Sequence, residues 1–427
     1  MQMSFADFIL QHEADDPVRL LLARDKYPDV DIDLAVTTLE VRRKLRTKVP
    51  EWYAVPSLIY PFRLSGEQCS SSETAKYKAR LASGLRLEGG HRFGDQTAPA
   101  NERLRIADLT GGMGVDTWAF EQVAEEVLYN EMLVGLARAT ELNFKELGVE
   151  NVRFRSRRVE PGKVKDALDG FGPDVIYLDP ARRAEDGRKV FLIEECQPDV
   201  LGLLPELFEA SRYVLLKLSP MADITMACKR LGAHVKEVHV VAAGGECKEL
   251  VFLLDREWEG AYSTFVVEDG AVMEISEGPS TGSGTAAPLV ITTGAKRSGE
   301  IFLFEPGKAL LKAGAFSLPC GRFGLTKLGQ HTHLYGGEAI PKALRPFGKV
   351  FEILEVLPLN NRTMKEAGKR WPQAEVTARN VPMTSDLLRK KLGCASGGDI
   401  HLFGVRVDAA AEAGNYLIVT KKRYGTD

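Results

Sequence analysis

Residues Ile106-Ala-Asp-Leu-Thr-Gly-Gly-Met-Gly-Val-Asp116 constrain the fold of this chain more than any other segment. An apolar run ends in an acid, closely spaced glycines follow, and a helix start comes next. In a parallel sheet covered by helices, such a turn at the carboxyl end of a strand makes room for a nucleoside. A dinucleotide fingerprint would need the spacing G-x-G-x-x-G, with the third glycine packing helix on strand and a pyrophosphate at the helix N-terminus. Here Gly111, Gly112 and Gly114 are followed by Thr117 where that third glycine would stand. A carboxylate at Asp108 would repel a phosphate, so the ligand expected is a nucleoside that carries positive charge and no phosphate.

From residue 103 onward, strand and helix patterns alternate. Strands are expected over 103–108, 126–130, 151–155, 174–179, 212–218, 234–242 and 247–254, and helices over 115–124, 132–147, 160–169, 198–210 and 221–231. Alternation implies parallel pairing with right-handed crossovers. Only Ala243-Gly-Gly245 joins the last two strands, too short for a crossover, so they must form an antiparallel hairpin. The fold class expected is α/β, a Rossmann-like sheet of five parallel strands closed by an antiparallel pair.

That sheet occupies residues 96–257 in this reading, and the flanks differ from it. Residues 1–95 read as a helical region: Phe5, Phe8 and Ile9 precede Val18, Leu21 and Leu22 at helical spacing. A further helix, capped by Asp33, runs toward Lys48 before Pro50 and carries Arg42, Arg43, Lys44, Arg46 and Lys48, the first three expected to help hold phosphates. Gln68-Cys-Ser-Ser-Ser72 reads as a loop before a helix over 73–80, and 84–100 as a connection. Residues 258–320 read as a small α+β, ferredoxin-like domain, with a hairpin turn at Glu268-Asp-Gly-Ala271, a low-complexity stretch over 277–288 and strands at 289–293 and 300–304. Residues 321–427 show strands near 347–357, 373–379, 400–406 and 415–420 and helices near 362–370 and 384–392.

Charge separates these regions. The chain as a whole is at -3, yet residues 321–427 hold 17 Lys+Arg against 10 Asp+Glu, which leaves the remainder at -10. A basic tail on an acidic body points to a polyanionic partner, or else to a solvated basic face. No apolar run approaches the roughly 18 residues of a membrane span. Asp7, Glu13, Asp15 and Asp16 break the N-terminal apolar pattern, unlike a secretory leader. Six cysteines without a C-x-x-C pair fit reduced thiols in the cytoplasm and give no reason to expect a metal.

Further site residues follow from the ends of the strands. Glu131 directly follows Val127-Leu-Tyr-Asn130, and a carboxylate there can accept both hydroxyls of a ribose, or simply favour a helix start. After the third strand Arg157 and Arg158 precede Glu160, so the group facing the base stays open. The fourth strand ends Tyr177-Leu-Asp-Pro-Ala-Arg-Arg183. Asp179 would face the reacting group, Pro180 would set the turn, and Arg182 and Arg183 would either hold substrate phosphates or lie solvated.

Asp108-Leu-Thr-Gly-Gly-Met-Gly114, Asp179-Pro-Ala-Arg-Arg183, Lys217-Leu-Ser-Pro220 and Glu246-Cys-Lys-Glu249 together resemble the bacterial class I S-adenosylmethionine-dependent methyltransferases with a C-terminal THUMP-like domain. Gln68-Cys-Ser-Ser71, Phe304-Glu-Pro306, Lys312-Ala-Gly314, His333-Leu-Tyr335 and Arg379-Asn380 extend the resemblance over most of the chain. The resemblance implies S-adenosylmethionine as cofactor, which is cationic and free of phosphate. It would be bound by Asp108, Thr110, Gly111, Gly112, Gly114, Asp116, Glu131 and Asp179. For residues 321–427 it implies a THUMP-like domain and hence an RNA partner, rRNA or tRNA.

The acceptor atom remains open between chemistries. Methylation of a base amine favours an acid or amide followed by prolines and a stacking aromatic, and Ala181 and Arg182 leave that pattern incomplete. Carbon-5 methylation needs a cysteine nucleophile. Lys217-Leu-Ser-Pro220 offers none, Cys228 lies farther along a helix, and Cys247 reads as buried and apolar. The order Lys76 or Lys78, Asp179, Lys217, Glu249 resembles the lysine-aspartate-lysine-glutamate tetrad of ribose 2′-O-methyltransferases, in which a lysine of lowered pKa takes the hydroxyl proton. With Lys78 as the first member, these four form the expected catalytic set, although Lys217 would equally snorkel from a buried strand. The function expected is RNA methylation at a base nitrogen or a ribose 2′-hydroxyl. The rivals are a small-molecule methyltransferase and an RNA-binding protein that keeps the fold without catalysis.

Overall fold

The computed structural model describes residues 3–85, 104–182, 192–275, 301–408 and 413–423. Arg183, most of the connection over 84–100, the low-complexity stretch 277–288 and the strand expected at 289–293 lie outside them. Two compact units are present, residues 1–239 with 248–263 and residues 240–247 with 264–427.

The parallel-stranded sheet is built from β1 (Arg105–Asp108), β2 (Glu126–Asn130), β3 (Val152–Arg155), β4 (Val175–Leu178), β5 (Tyr213–Leu218), β6 (Val235–Ala243) and β7 (Glu246–Asp255). Their order is β3-β2-β1-β4-β5-β7-β6. β1 pairs in parallel with β2 and β4, β2 with β3 and β4 with β5, while β7 runs antiparallel to β5. The five parallel strands and closing hairpin are therefore present. Gly244 and Gly245 turn that hairpin with φ of 60° and 78°, the left-handed values a two-residue turn requires. The central strands are apolar on both faces, as in a parallel sheet covered by helices. β4, for example, is buried throughout.

The N-terminal residues are helical, with one shift of boundary. The helix α1 (Ile32–Lys48) is capped by Asp31, whose side chain accepts from Leu34 N at 3.0 Å, and Asp33 lies inside its first turn. Three of its basic residues have local partners. Arg42 is buried and donates to the carbonyls of Tyr53 and Val55, Arg43 holds Glu13 O, and Lys44 pairs with Glu67. For Arg42 this corrects the phosphate-binding expectation, because its guanidinium is enclosed and bonded to the backbone. A short helix at Arg63–Gln68 stands where a loop begins in the sequence reading, and Ser71 caps α2 (Ser72–Ser83).

In the second unit β8 (Ser263–Glu268) and β9 (Ala271–Ile275) pair antiparallel. A separate sheet is formed by β10 (Phe302–Pro306), β11 (Thr326–Lys327), β12 (Tyr335–Gly337), β13 (Gly348–Pro358), β14 (Glu375–Arg379), β15 (Ile400–Val407) and β16 (Gly414–Arg423). Its order is β11-β12-β10-β13-β16-β15-β14. Met364 and Ala367 of one helix (Asn361–Arg370) and Leu388 and Leu392 of another (Ser385–Leu392) share a core with Val376, Leu402 and Leu417. Leu328 and Leu334 complete a second cluster with Leu303, Phe351, Phe403 and Ile418.

Candidate active site

The turn after β1 is held from beneath by Asp108. Its Oδ1 accepts from Thr110 N at 3.1 Å, and its Oδ2 meets the Thr117 hydroxyl at 2.6 Å. The carboxyl is 1% exposed, and burial pushes its pKa up to about 8, so it is protonated at neutral pH. Asp108 braces the turn, and the charge assigned to it in the sequence reading is absent there. Thr117, the residue at the missing third glycine, supplies the matching hydroxyl.

Glycine is required at two points of this turn. A Cβ on Gly111 would stand 2.2 Å from the Tyr129 ring. Gly114 has φ of 89°, and its Cβ would meet Thr140 and Phe144 at 2.7 and 2.8 Å. The close approach lets β2 and the helix Val134–Glu146 crowd the turn just before α3 (Val115–Glu121) begins. Above it opens a cavity of about 370 Å³, within the range of small-molecule sites.

Thr110, Gly111, Gly112, Gly114, Asp116, Glu131 and Asp179 line this cavity. Glu131 Oε2 accepts from Gly112 N at 3.0 Å and Oε1 from Leu133 N at 2.8 Å, which fixes the carboxylate at the end of β2. Arg157, Arg158 and Val159 form the wall after β3, while Glu160 is tied to Arg158 and Lys163. Thr110 Oγ1 accepts from Asp179 N at 2.6 Å and so joins the turns after β1 and β4. Pro180 is buried, and the backbone of Arg182 pairs with Cys196.

Around Asp116 the expected catalytic residues converge. Lys78 of α2 is fully buried and bonds Glu249 Oε1 at 2.6 Å, Asp116 Oδ1 at 3.1 Å and Ser70 at 3.0 Å. Lys76 faces outward and pairs with Glu51, so Lys78 is the inward lysine of the two. Asp116 also accepts from Ser70 and from the Tyr177 hydroxyl, each at 2.8 Å. Burial raises its pKa, but Lys78, Lys217 and these two hydroxyls outweigh it and hold the group below the usual carboxylate range. Lys217 Nζ meets Asp179 Oδ2 at 2.5 Å, with the side chains 12% and 32% exposed. Burial pulls Lys217 down, yet Asp179, Glu249 and Asp116 together raise it well above the ordinary lysine value. The shift is opposite to the lowered value expected of a lysine acting as a base, because three carboxylates surround it.

Several wall residues carry no motif signal of their own. Phe62, Leu64, Ser65, Gln68 and Cys69 bring the N-terminal helical region to the cavity, and only Gln68-Cys-Ser-Ser71 within the resemblance pointed there. Burial raises the Cys69 thiol, which keeps it protonated. Cys228 is buried and Cys247 half-buried, and neither lines the cavity. No cysteine is disulfide-linked, and no cluster able to hold a metal occurs among the described residues.

Parallel strands in the order β3-β2-β1-β4-β5-β7-β6, with a glycine turn under a cavity and an acid at the end of β2, define a class I methyltransferase fold. Comparison with known proteins agrees. A crystal structure of a protein from Porphyromonas gingivalis W83, described as a methyltransferase, is 30% identical, covers 99% of this chain and 98% of its own, and superposes with a TM-score of 0.76. A curated S-adenosylmethionine-dependent methyltransferase of Mycobacterium tuberculosis (strain ATCC 25618 / H37Rv) is 25% identical over 72% of this chain and 78% of its own length. An RNA methyltransferase of Enterococcus faecalis is 30% identical over 22% of this chain and 21% of its own length. Family models for a ferredoxin-like domain and a THUMP domain-like domain match residues 302–343 and 348–422. The chain belongs to the S-adenosylmethionine-dependent methyltransferases that carry these two C-terminal domains.

Proposed function

We propose that the protein methylates RNA from S-adenosylmethionine, at an acceptor atom that hydrogen-bonds Asp179. The observation that carries this reading is the cavity wall itself, where a two-glycine cradle, Glu131 and the ion-paired Asp179 meet. Glu131 would accept the ribose hydroxyls, and the backbone of the turn after β1 would pass beneath the cofactor.

When bound, the cofactor supplies an electrophilic methyl group. Lys217 pins Asp179, so the carboxylate would accept a hydrogen bond from the acceptor and take its proton as the bond to the methyl carbon forms and the carbon–sulfur bond breaks. Lys217 itself is an ammonium and has no free pair to offer. A base nitrogen is more nucleophilic than a neutral hydroxyl and depends less on prior deprotonation, so it suits a weak base such as a carboxylate better. Methylation of a ribose 2′-hydroxyl is the second reading, favoured by one observation: Lys78–Glu249 and Lys217–Asp179 are assembled side by side. RNA as substrate is supported by the THUMP-like match and the basic charge of residues 321–427. The cytoplasm is proposed as the site of action, in keeping with six unpaired thiols.

The test is incubation of the protein with labelled S-adenosylmethionine and RNA from a strain lacking it, followed by nucleoside mass spectrometry. A methylated base supports the first reading and a 2′-O-methylated nucleoside the second. Label found only in small molecules would overturn both.

A further inference from the structure

Next to Glu131 the cavity of the first unit has an apolar rim that the fold leaves open. Phe62, Met132 and Leu133 line the cavity and are 40%, 50% and 48% exposed. Large apolar side chains gathered at one place in water mark a surface that takes an apolar ligand. Met132 and Leu133 directly follow Glu131, while Phe62 arrives from the N-terminal helical region. The Phe62 ring rests on the helix Val134–Glu146, where a Cβ at Gly135 would stand 3.5 Å from its Cζ and 3.7 Å from its Cε2. Among the described residues, neither a second aromatic ring nor a Lys or Arg cation lies against it. The wall after β3 contributes Arg157, whose N–H donates to Asn130 Oδ1 at 2.9 Å and whose carbonyl accepts from Asn130 Nδ2 at 3.0 Å. That side chain of β2 locks the Arg157 backbone in place. The Arg157 guanidinium donates to the Ser156 carbonyl at 3.3 Å and has no carboxylate partner among the described residues. The described carboxylates that line the cavity are Asp116, Glu131 and Asp179, and none of them follows β3. Asp116 and Asp179 are paired with Lys78 and Lys217.

We propose that the base of the cofactor is held by stacking on Phe62 against the apolar side chains of Met132 and Leu133, with Arg157 donating to its ring nitrogens, and that no carboxylate reads its amino group. The inference rests on the cofactor reading above and names the residues that meet the base. A ribose held by Glu131 carries its base toward the residues that follow, and the open apolar rim begins there. An aromatic face accepts any purine, because stacking uses the π surface and not the substituent on it. A guanidinium donates and cannot accept, so it serves the ring nitrogens that different purines share and has nothing to offer an amino group. The selectivity expected is therefore for a purine, not for adenine alone.

The experiment is calorimetry on the full chain with S-adenosylhomocysteine and with S-inosylhomocysteine, in which a carbonyl replaces the 6-amino group. The wild type should bind the two within about 10-fold of each other, since only a site built to pair with the amino group rejects the analogue strongly. Phe62→Ala should weaken both ligands about 10-fold, and Phe62→Trp, which keeps an aromatic face, should bring both back to within about 2-fold of wild type. Arg157→Ala should weaken both about 3-fold. These changes fall on exposed side chains, and an unchanged denaturant midpoint certifies that each variant is folded. Rejection of S-inosylhomocysteine by more than about 10-fold would reveal an acceptor for the amino group and overturn the proposal. Wild-type affinity in Phe62→Ala would overturn the stacking, and wild-type affinity in Arg157→Ala the part given to the guanidinium. Each of these results leaves the cofactor reading standing, whereas failure of the wild type to bind S-adenosylhomocysteine would overturn that reading as well.

Discussion

Around the cavity of the first unit, Lys78 and Lys217 are shut away from water and matched by Asp116, Glu249 and Asp179. On the two helices of the second unit, Lys365, Lys369, Lys390 and Lys391 are exposed, and none has an ion-pair partner among the described residues. Arg362, Arg370 and Arg389 of the same helices are each paired with a neighbouring acid. A charge in the first setting governs the protonation of its neighbours, because little solvent screens it. A charge in the second acts on whatever polyanion approaches, and salt weakens it. The contrast separates residues expected to set chemistry from residues expected to set affinity.

The sharpest way to break it is at Asp179. Asp179→Ala should lower methyl transfer by about 10²–10⁴-fold, the usual cost of removing a positioned proton acceptor, with S-adenosylhomocysteine affinity nearly unchanged. Turnover close to wild type would show that the acceptor does not meet this carboxylate. Next in size is Lys78→Met, which strands Glu249 and Asp116 in the interior and should cost about 3–5 kcal/mol of stability. Denaturant midpoints check this, and an unchanged midpoint would mean that those carboxylates find other partners.

Glu131→Ala should weaken S-adenosylhomocysteine by about 1–3 kcal/mol in calorimetry, since paired polar groups of the ligand lose their acceptor. Asp108 supplies a pH-dependent test. Its folded pKa of about 8 lies above the ordinary 3.8, so the folded state keeps a proton that the unfolded chain releases. The stability this group contributes is whole below the ordinary value and is lost as pH rises through 8. Asp108→Asn, which retains an acceptor and a donor, should flatten the fall in stability across that window. A large loss of cofactor affinity in the same variant would instead assign Asp108 to the ligand. The smallest effect is expected from Lys390→Glu with Lys391→Glu. Adjacent helical positions do not face one way, so RNA affinity should fall only a few-fold, with a shallower salt dependence.

The turn at Gly111–Gly114 and the carboxylate of Glu131 could be read from sequence because both follow from local rules. A tight approach demands glycine, and a strand end demands its acid at a set place. The charge state of Asp108 could not be read in this way. Its carboxyl looks ionised in the sequence and is neutral in the fold, because desolvation depends on what closes over it. Arg42 misled similarly. In a helix rich in Lys and Arg it looks like part of a basic face, and only the chain at Tyr53 and Val55 turns it inward.

Periodicity and linker length by themselves determined the alternating α/β order, the parallel pairing and the antiparallel closing hairpin, since each is a property of neighbouring residues along the chain. Tertiary structure alone decided that Lys78, not Lys76, joins Glu249, a residue 171 positions away. It alone set three carboxylates around Lys217, which reverses the shift expected of a catalytic base. The physical reason is that pKa values and ion pairs depend on distance and dielectric in three dimensions, and contacts between residues so far apart in the chain leave no periodic trace in the sequence.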